Sequence, residues 1–89
     1  MAEPLTLTVQ GTPNPNAVKF TLNRTVAVQG RSYRDAATAD VTWVQELLRI
    51  GGIQQVFVLN NFVSVTKSSD AGWDHLGPQA EQILRRAFS

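Results

Sequence analysis

The stretch Ile53–Lys67, with the sequence IQQVFVLNNFVSVTK, contains two apolar, β-branched runs that meet across two asparagines. Such runs favour β-strands, and Asn60 and Asn61 tolerate the positive φ that a tight type I′ turn needs at both central positions. The pattern therefore predicts a β-hairpin in which Leu59 faces Phe62. Because side chains alternate along a strand, this register divides the hairpin into two faces.

The two faces of the predicted hairpin differ in composition. One is suited to a core, whereas Phe57, Leu59 and Phe62 gather on the opposite face, which is harder to cover in a small protein. Three arrangements of this second face stay open: shielding by Tyr33 of the segment Arg31–Asp40, self-association, or contact with another protein. The residues of the expected core face are Val56, Val58, Val63 and Val65.

Alternating apolar and polar residues predict the strands before the hairpin. They indicate one strand that ends at Gly11 and a second, antiparallel strand from Val18 to Leu22. Thr25–Val28 is a candidate short third strand. The segment Arg31–Asp40 has no sustained period, so we expect it to be a connection.

Two stretches have the apolar spacing of amphipathic helices. The first runs from Val41 to Leu48, with Asp40 as its N-cap and Gly51, in the left-handed conformation, closing it. The second runs from Ala71 towards the C-terminus. Pro78 lies inside it, and the missing backbone donor predicts a kink or a restart of the helix one residue earlier.

Together these segments predict one two-layer α+β domain over residues 1–89, with the order ββ(β)-α-ββ-α. Both helices are expected to pack on one face of a mainly antiparallel sheet, because the hairpin and each helix have one apolar face. The apolar runs are too short to cross a bilayer, and Met1–Pro4 lacks the basic start and apolar core of a secretion signal. We therefore expect a cytoplasmic protein.

Residue chemistry gives little support for catalysis or for a bound cofactor. The chain has no cysteine, and its only histidine, His75, is expected on a polar helix face without the other members of a hydrolase triad. Asp70 and Asp74 lie near a helix start, where capping and the helix dipole explain them better than a metal does. We therefore expect no enzyme, no metal and no cofactor.

The charge distribution also argues against nucleic acid and membranes as partners. The net charge is only +1 and the lysines and arginines are scattered, whereas phosphate binding needs clustered cations. Phe57 and Phe62 on adjacent strands are similar to the stacking surface of RNA-binding proteins, but the basic residues and the RNP-type sequence are missing. RNA binding is therefore a weak alternative.

The segment Thr12–Asn16, with the sequence TPNPN, is predicted to be a stiff loop because its two prolines fix φ. One interpretation is a rigid connection between strands. The other is a preordered protrusion, whose Asn14 and Asn16 amides dock on a partner at little entropic cost. The loop would supplement the aromatic face of the hairpin if the sheet placed the two close together.

Several motifs, taken in order, resemble one family. TPNPNAVKF, LLRIGGIQQVF and FVSVTK, followed by Trp73, are similar in order and spacing to the N-terminal domain of Nfu-type iron–sulfur cluster scaffold proteins. The resemblance implies that this domain assists cluster assembly through protein contacts, while a second domain with a CxxC motif binds the cluster. Since the chain has no cysteine, it cannot supply thiolate ligands, and we expect a free-standing accessory domain.

The leading hypothesis is therefore a non-enzymatic protein-interaction domain that is associated with iron–sulfur cluster assembly. An adaptor unrelated to iron–sulfur chemistry is the alternative, ahead of RNA binding. The expected partners are iron–sulfur scaffold or recipient proteins, and the chain itself is expected to be a monomer or weak oligomer, with Lys67 and His75 at its surface. The candidate partner-binding residues are Thr12, Pro13, Asn14, Pro15, Asn16, Phe57, Leu59, Phe62, Lys67 and Trp73.

Overall fold

The computed structural model describes residues 4–88 as a five-stranded sheet with two helices. All strand pairs are antiparallel, in the order β1-β2-β5-β4-β3, so the predicted α+β architecture is confirmed. Residues 1–3, within which we expected no secretion signal, lie outside the described part. The elements are β1 (Leu7–Gly11), β2 (Ala17–Leu22), β3 (Ala27–Tyr33), α1 (Thr42–Leu48), β4 (Ile53–Asn60), β5 (Phe62–Lys67) and α2 (Trp73–Phe88).

The β4–β5 hairpin has the predicted register. Leu59 pairs with Phe62, and the four valines of the core face are buried. Asn60 has a φ of 52°, but Asn61 does not have a positive φ, so the prediction of a type I′ turn with positive φ at both positions is wrong. The turn has one left-handed residue, and the Asn61 side chain donates to the carbonyl of Leu22 on β2, at 3.2 Å.

The core lies between the valine face of the sheet and the two helices. Phe20 on β2 is fully buried because it pairs with Val63 and so shares the valine face. Both helices contribute their apolar stripes to the same cluster, as expected for a two-layer fold. The helical members are Val44, Leu47, Leu76, Ala80, Ile83 and Leu84. No helix among residues 4–88 is long and apolar enough to cross a membrane.

Strand β3 is longer than the sequence predicts. It runs through Gly30 to Tyr33, where we expected a connection, and its pairing with β4 shifts between Ala27 and Arg31. Such an irregularity breaks the two-residue alternation, and most β3 residues are exposed at the sheet edge. The strand therefore carries little of the periodic signal by which strands are recognised in a sequence.

Both helices begin differently from the prediction. Val41, with no side-chain hydrogen bond, is the N-cap of α1, because the Asp40 carboxylate instead accepts from Tyr33 Oη and Arg31 Nη1, both at 3.1 Å. Helix α2 begins at Trp73 rather than at residue 71. It runs continuously through Pro78, so the alternative of a restart is wrong.

The turn after α1 depends on its second glycine, not on Gly51 as we expected. Gly52 has a φ of +101°, and a Cβ atom added there would lie 2.9 Å from the Cβ of Ala71 and 3.4 Å from Leu76. Gly51 has no positive φ, and an added Cβ would meet nothing within 4 Å. Only Gly52 therefore needs to be glycine.

We predict that Gly52→Ala lowers the free energy of unfolding by about 2 kcal/mol or more, because it combines an unfavourable φ with a steric clash. The matched variant Gly51→Ala should change it by less than about 0.5 kcal/mol. Urea denaturation of the two variants beside the parent measures both values. Equal losses in the two variants would contradict the assignment.

Candidate partner-binding site

The loop Thr12–Asn16 between β1 and β2 is held by hydrogen bonds within itself. Thr12 Oγ1 lies 2.9 Å from the carbonyl oxygen of Asn14 and accepts from the Asn14 N–H at 3.1 Å. The Asn16 N–H donates to Asn14 Oδ1 at 3.0 Å, which is a typical Asx turn. Pro13, Asn14 and Pro15 remain exposed. The loop is thus ordered from inside while its outer surface is open.

Lys67 anchors this loop from the core side of the sheet. We expected Lys67 at the surface, and that expectation is wrong. It is only 8% exposed, and its Nζ donates to Asn16 Oδ1 at 3.1 Å and to the carbonyl of Ser68 at 3.3 Å. Its backbone N–H donates to the Asn16 carbonyl at 2.7 Å. The reason is alternation: Val63 and Val65 face the core, so Lys67 has the same orientation.

Trp73 holds the other side of the loop. Its indole Nε1 donates to the Pro15 carbonyl at 3.2 Å, and its ring lies 5.9 Å from Lys67 Nζ. Helix α2 therefore contacts the loop through its first residue. The structure brings seven of the predicted site residues into one cluster, the loop cluster: Thr12, Pro13, Asn14, Pro15, Asn16, Lys67 and Trp73.

Asp70 adds a pH-sensitive group beside this cluster. Its pKa is lowered from the ordinary value of 3.8, first by a hydrogen bond from Ser68, then by its own backbone N–H, and also by the charge of Lys67. A carboxyl whose pKa is lower in the folded state stabilises the fold above its unfolded-state pKa. That stability is lost as the pH falls through the folded-state pKa.

We therefore predict that the melting temperature of the parent falls more steeply than that of Asp70→Asn between pH 5 and pH 2, because the amide has no proton to gain. Melting curves of both proteins across this range test it. Because Asp70 is exposed, the difference should be small and should shrink in high salt. Parallel curves for the two proteins would show that Asp70 does not contribute.

The other three predicted site residues form an aromatic face on the side of the sheet away from the helices. Phe57, Leu59 and Phe62 are half-buried, and the two rings are 6.0 Å apart at an angle of 40°. Lys19 Nζ lies 4.5 Å from the centre of the Phe62 ring. Among the described strand residues on this face, Lys19 is the only charged one.

Tyr33 does not shield the aromatic face. It pairs with Val56, so its side chain lies on the helix side, where its hydroxyl donates to Asp40. The ring of Phe57 instead packs against Gly30 of β3, where an added Cβ would be 3.3 Å from the ring. This contact leaves the outer surface of the ring open and explains why it is half-buried.

The sheet keeps the loop cluster and the aromatic face apart. Phe62 and Lys67 are the first and last residues of β5, so they lie about 17 Å apart along the strand. They also point to opposite faces. The hypothesis that the loop supplements the aromatic face in one interface is therefore not supported by the geometry.

Neither surface contains a cluster of metal-ligating side chains in the described part of the chain. Within residues 4–88, no three histidine, cysteine, aspartate or glutamate side chains are close enough to hold a metal ion. His75 is exposed on α2, as expected. What the loop cluster offers chemically is a set of backbone and amide hydrogen-bonding groups beside two prolines on a fixed loop.

Comparison with known sequences identifies the family of the chain. A sequence profile described as "Scaffold protein Nfu/NifU N terminal" matches residues 7–89, which include both the loop cluster and the hairpin. The chain belongs to the Nfu/NifU N-terminal family. The resemblance carried by the TPNPN loop, the hairpin and Trp73 is thereby confirmed.

Two relatives show how this Nfu/NifU N-terminal sequence occurs within longer proteins. Conserved virulence factor C of Staphylococcus aureus is 31% identical over 84 residues, which cover 93% of this chain and 21% of that protein. NifU-like protein 5, mitochondrial, of Arabidopsis thaliana is 31% identical over 84 residues, which cover 90% of this chain and 30% of that protein. The chain spans less than a third of the length of either relative.

Solved structures share this fold. The crystal structure of protein SAV1430 from Staphylococcus aureus superposes with a TM-score of 0.79 at 26% identity, covering 86% of this chain and 94% of that one. The solution structure of a NifU-like protein from Saccharomyces cerevisiae gives a TM-score of 0.81, covering 96% and 81%. At 18% identity, this second likeness shows the fold alone.

Proposed function

We propose that this Nfu/NifU N-terminal chain is a non-enzymatic protein-binding module that assists iron–sulfur cluster assembly without ligating a cluster itself. Its partners would be the scaffold that holds the cluster or the protein that receives it. The cluster is thus the cargo of the partner and not a resident group of this chain.

The observation that carries the proposal is the loop cluster. Lys67 and Trp73 fix Asn16 and Pro15 from beneath, while Pro13, Asn14 and Pro15 stay exposed. A segment that is already ordered loses little entropy on binding, so more of its contact energy appears as affinity. Ordering of this kind supports recognition of another protein surface.

The amino-acid composition supports the proposal that the chain itself does not ligate a cluster. Soft metal clusters are held mainly by thiolates, and the sequence has no cysteine and one histidine. After anaerobic reconstitution with iron and sulfide followed by desalting, the isolated chain should therefore keep no brown chromophore. A stoichiometric chromophore retained by the chain alone would overturn this part of the proposal.

Partner binding through the loop is tested with Asn14→Asp. This change keeps the side-chain oxygen that accepts from Asn16 and so preserves the turn, but it replaces the exposed amide donor with a charge. Anaerobic affinity capture from native extract, followed by mass spectrometry, should enrich iron–sulfur scaffold or recipient proteins with the parent. Capture should fall at least about tenfold with Asn14→Asp, which corresponds to about 1.4 kcal/mol.

The double variant Phe57→Ser with Phe62→Ser is the matched control on the other surface, with circular dichroism as the check on its fold. If that variant lost the partners and Asn14→Asp kept them, binding would belong to the aromatic face and not to the loop. Capture of proteins without any iron–sulfur role would favour an unrelated adaptor.

A further inference from the structure

Strand β1 forms a free edge of the sheet whose outward groups can be assigned. The Asn23 N–H donates to the Thr6 carbonyl at 3.2 Å, so Thr6 and, by alternation, Thr8 and Gln10 bond inward to β2. Leu7, Val9 and Gly11 lie between them, and their N–H and C=O groups therefore point away from the sheet. Within residues 4–88, these three residues thus present a ladder of unpaired donors and acceptors.

This edge lacks the features that usually block strand addition. The pairing of β1 with β2 is regular at all five residues, and its sequence LTVQG contains neither charge nor proline. The opposite edge, β3, has a shifted register between Ala27 and Arg31. A register shift of this kind bends an edge away from flat pairing, so β1 is the better template.

A trough on the helix side of the sheet runs beside the free edge. Val9 is 48% exposed and borders a cavity of about 290 Å³ with Phe20, Trp73 and Pro78. A second cavity, of about 460 Å³, lies beside Leu5. Glu81 borders both cavities, so they lie next to each other between β1 and α2, and we refer to the pair as the trough.

The two ends of the trough differ in charge. The end at Val9 is largely apolar, whereas Arg85 and Arg86 border the end at Leu5. Arg85 pairs with Glu81 at 3.1 Å and Arg86 pairs with Glu46 at 3.9 Å, but the two arginine side chains are still 46% and 64% exposed. Because two exposed arginines and one glutamate border the Leu5 end, this end still offers guanidinium groups to acidic side chains.

We propose that the β1 edge binds an extended segment of another protein as a sixth strand, antiparallel to β1. The segment places an apolar side chain in the trough beside Val9, and acidic residues at its C-terminal end meet Arg85 and Arg86. Main-chain hydrogen bonds to Leu7, Val9 and Gly11 supply the affinity, as in other strand-addition complexes.

A second folded copy is a poorer occupant of this edge. Stable interfaces bury about 800 Å² per partner, and a five-residue edge offers much less, whereas a short peptide does not need such an area. The inference goes beyond the proposed function, since it requires neither the exposed loop surface nor any link with iron–sulfur chemistry.

The test uses the whole chain, labelled with ¹⁵N, and a synthetic blocked peptide, Thr-Val-Thr-Val-Thr-Glu-Glu. Saturable binding should slow hydrogen exchange of the Leu7, Val9 and Gly11 amides at least tenfold, because these donors are unpaired in the free chain. The matched peptide ending in Lys-Lys should bind at least about tenfold more weakly, which corresponds to about 1.4 kcal/mol.

Val9→Pro is the decisive variant, because it removes an outward N–H that the sheet does not use, and proline is tolerated at such edge positions. It should fold like the parent and bind the peptide at least about tenfold more weakly. Val9→Thr keeps the N–H and is the control for the side chain.

Three results would overturn the proposal. They are peptide-induced shifts centred away from β1, equal binding by Val9→Pro and the parent, and protection of the β1 amides that rises with protein concentration without peptide. The last result would assign the edge to a second copy. Asn14→Asp should leave peptide binding unchanged, which separates this test from that of the proposed function.

Discussion

Val63→Asp is expected to abolish cooperative folding. Val63 is fully buried at the centre of the sheet, with Phe20 opposite it on one neighbouring strand and Val58 on the other. The residues opposite Val63 are both apolar and offer an aspartate no cation, so the fold must either bury an unpaired charge or open. The cost is about 4 kcal/mol or more, against a total stability of about 4–13 kcal/mol for a chain of this length.

The neighbouring residue provides the control. Ser64 points to the opposite face, where it pairs with Lys19, so Ser64→Asp should change stability by less than about 0.5 kcal/mol. The loss of stability in Val58→Asp should lie between those of the other two variants, because Arg31 is opposite Val58 and can pair with the new carboxylate. Thermal melts followed by circular dichroism rank the three variants. A parent-like melt for Val63→Asp would refute the assignment of faces.

Lys67→Ala is expected to lower the melting temperature by about 15 °C, which corresponds to about 3 kcal/mol. The change removes a buried four-carbon stem and leaves Asn16 Oδ1 without the donor that now serves it. We also expect the loop to become sensitive to proteases at residues 12–16, because one of its two anchors is lost.

Two further lysine variants separate packing from hydrogen bonding. Lys67→Met keeps the apolar stem and should recover roughly half of the loss. Lys19→Ala, on the open face, should cost no more than about 1 kcal/mol, which is the scale of an exposed cation–π contact. If Lys67→Ala melted within 2 °C of the parent, the lysine would not be an anchor of the loop.

The sequence was most informative where local pattern and packing agree. The hairpin register followed from two apolar runs and one two-residue turn, and the burial of its four valines followed from alternation. The same alternation assigns Lys67 to the core face, although residue type alone places lysine at a surface. Here the signal was present, and the position outweighed the usual preference of the residue type.

Other features have no local signal. The bond from Trp73 to Pro15 joins residues 58 apart in sequence, and nothing in either segment specifies it. Asp40 has the residue type of an N-cap, but the competing donors Tyr33 and Arg31 become visible only when β3 is placed beside α1. The position of β1 at a free edge likewise depends on the order of the strands in the sheet. Predicting the strands one by one from the sequence does not give that order.

That strand order also constrains when the protein can fold during synthesis. β1 and β2 join the rest of the sheet only through β5, and β3 joins it only through β4. The bond from Asn61 to the Leu22 carbonyl bridges 39 residues, so closing this pair is a non-local and slow step. A nascent chain that lacks β5 therefore cannot join β1 and β2 to β3 in one sheet. The last hairpin to leave the ribosome is the one that assembles the sheet.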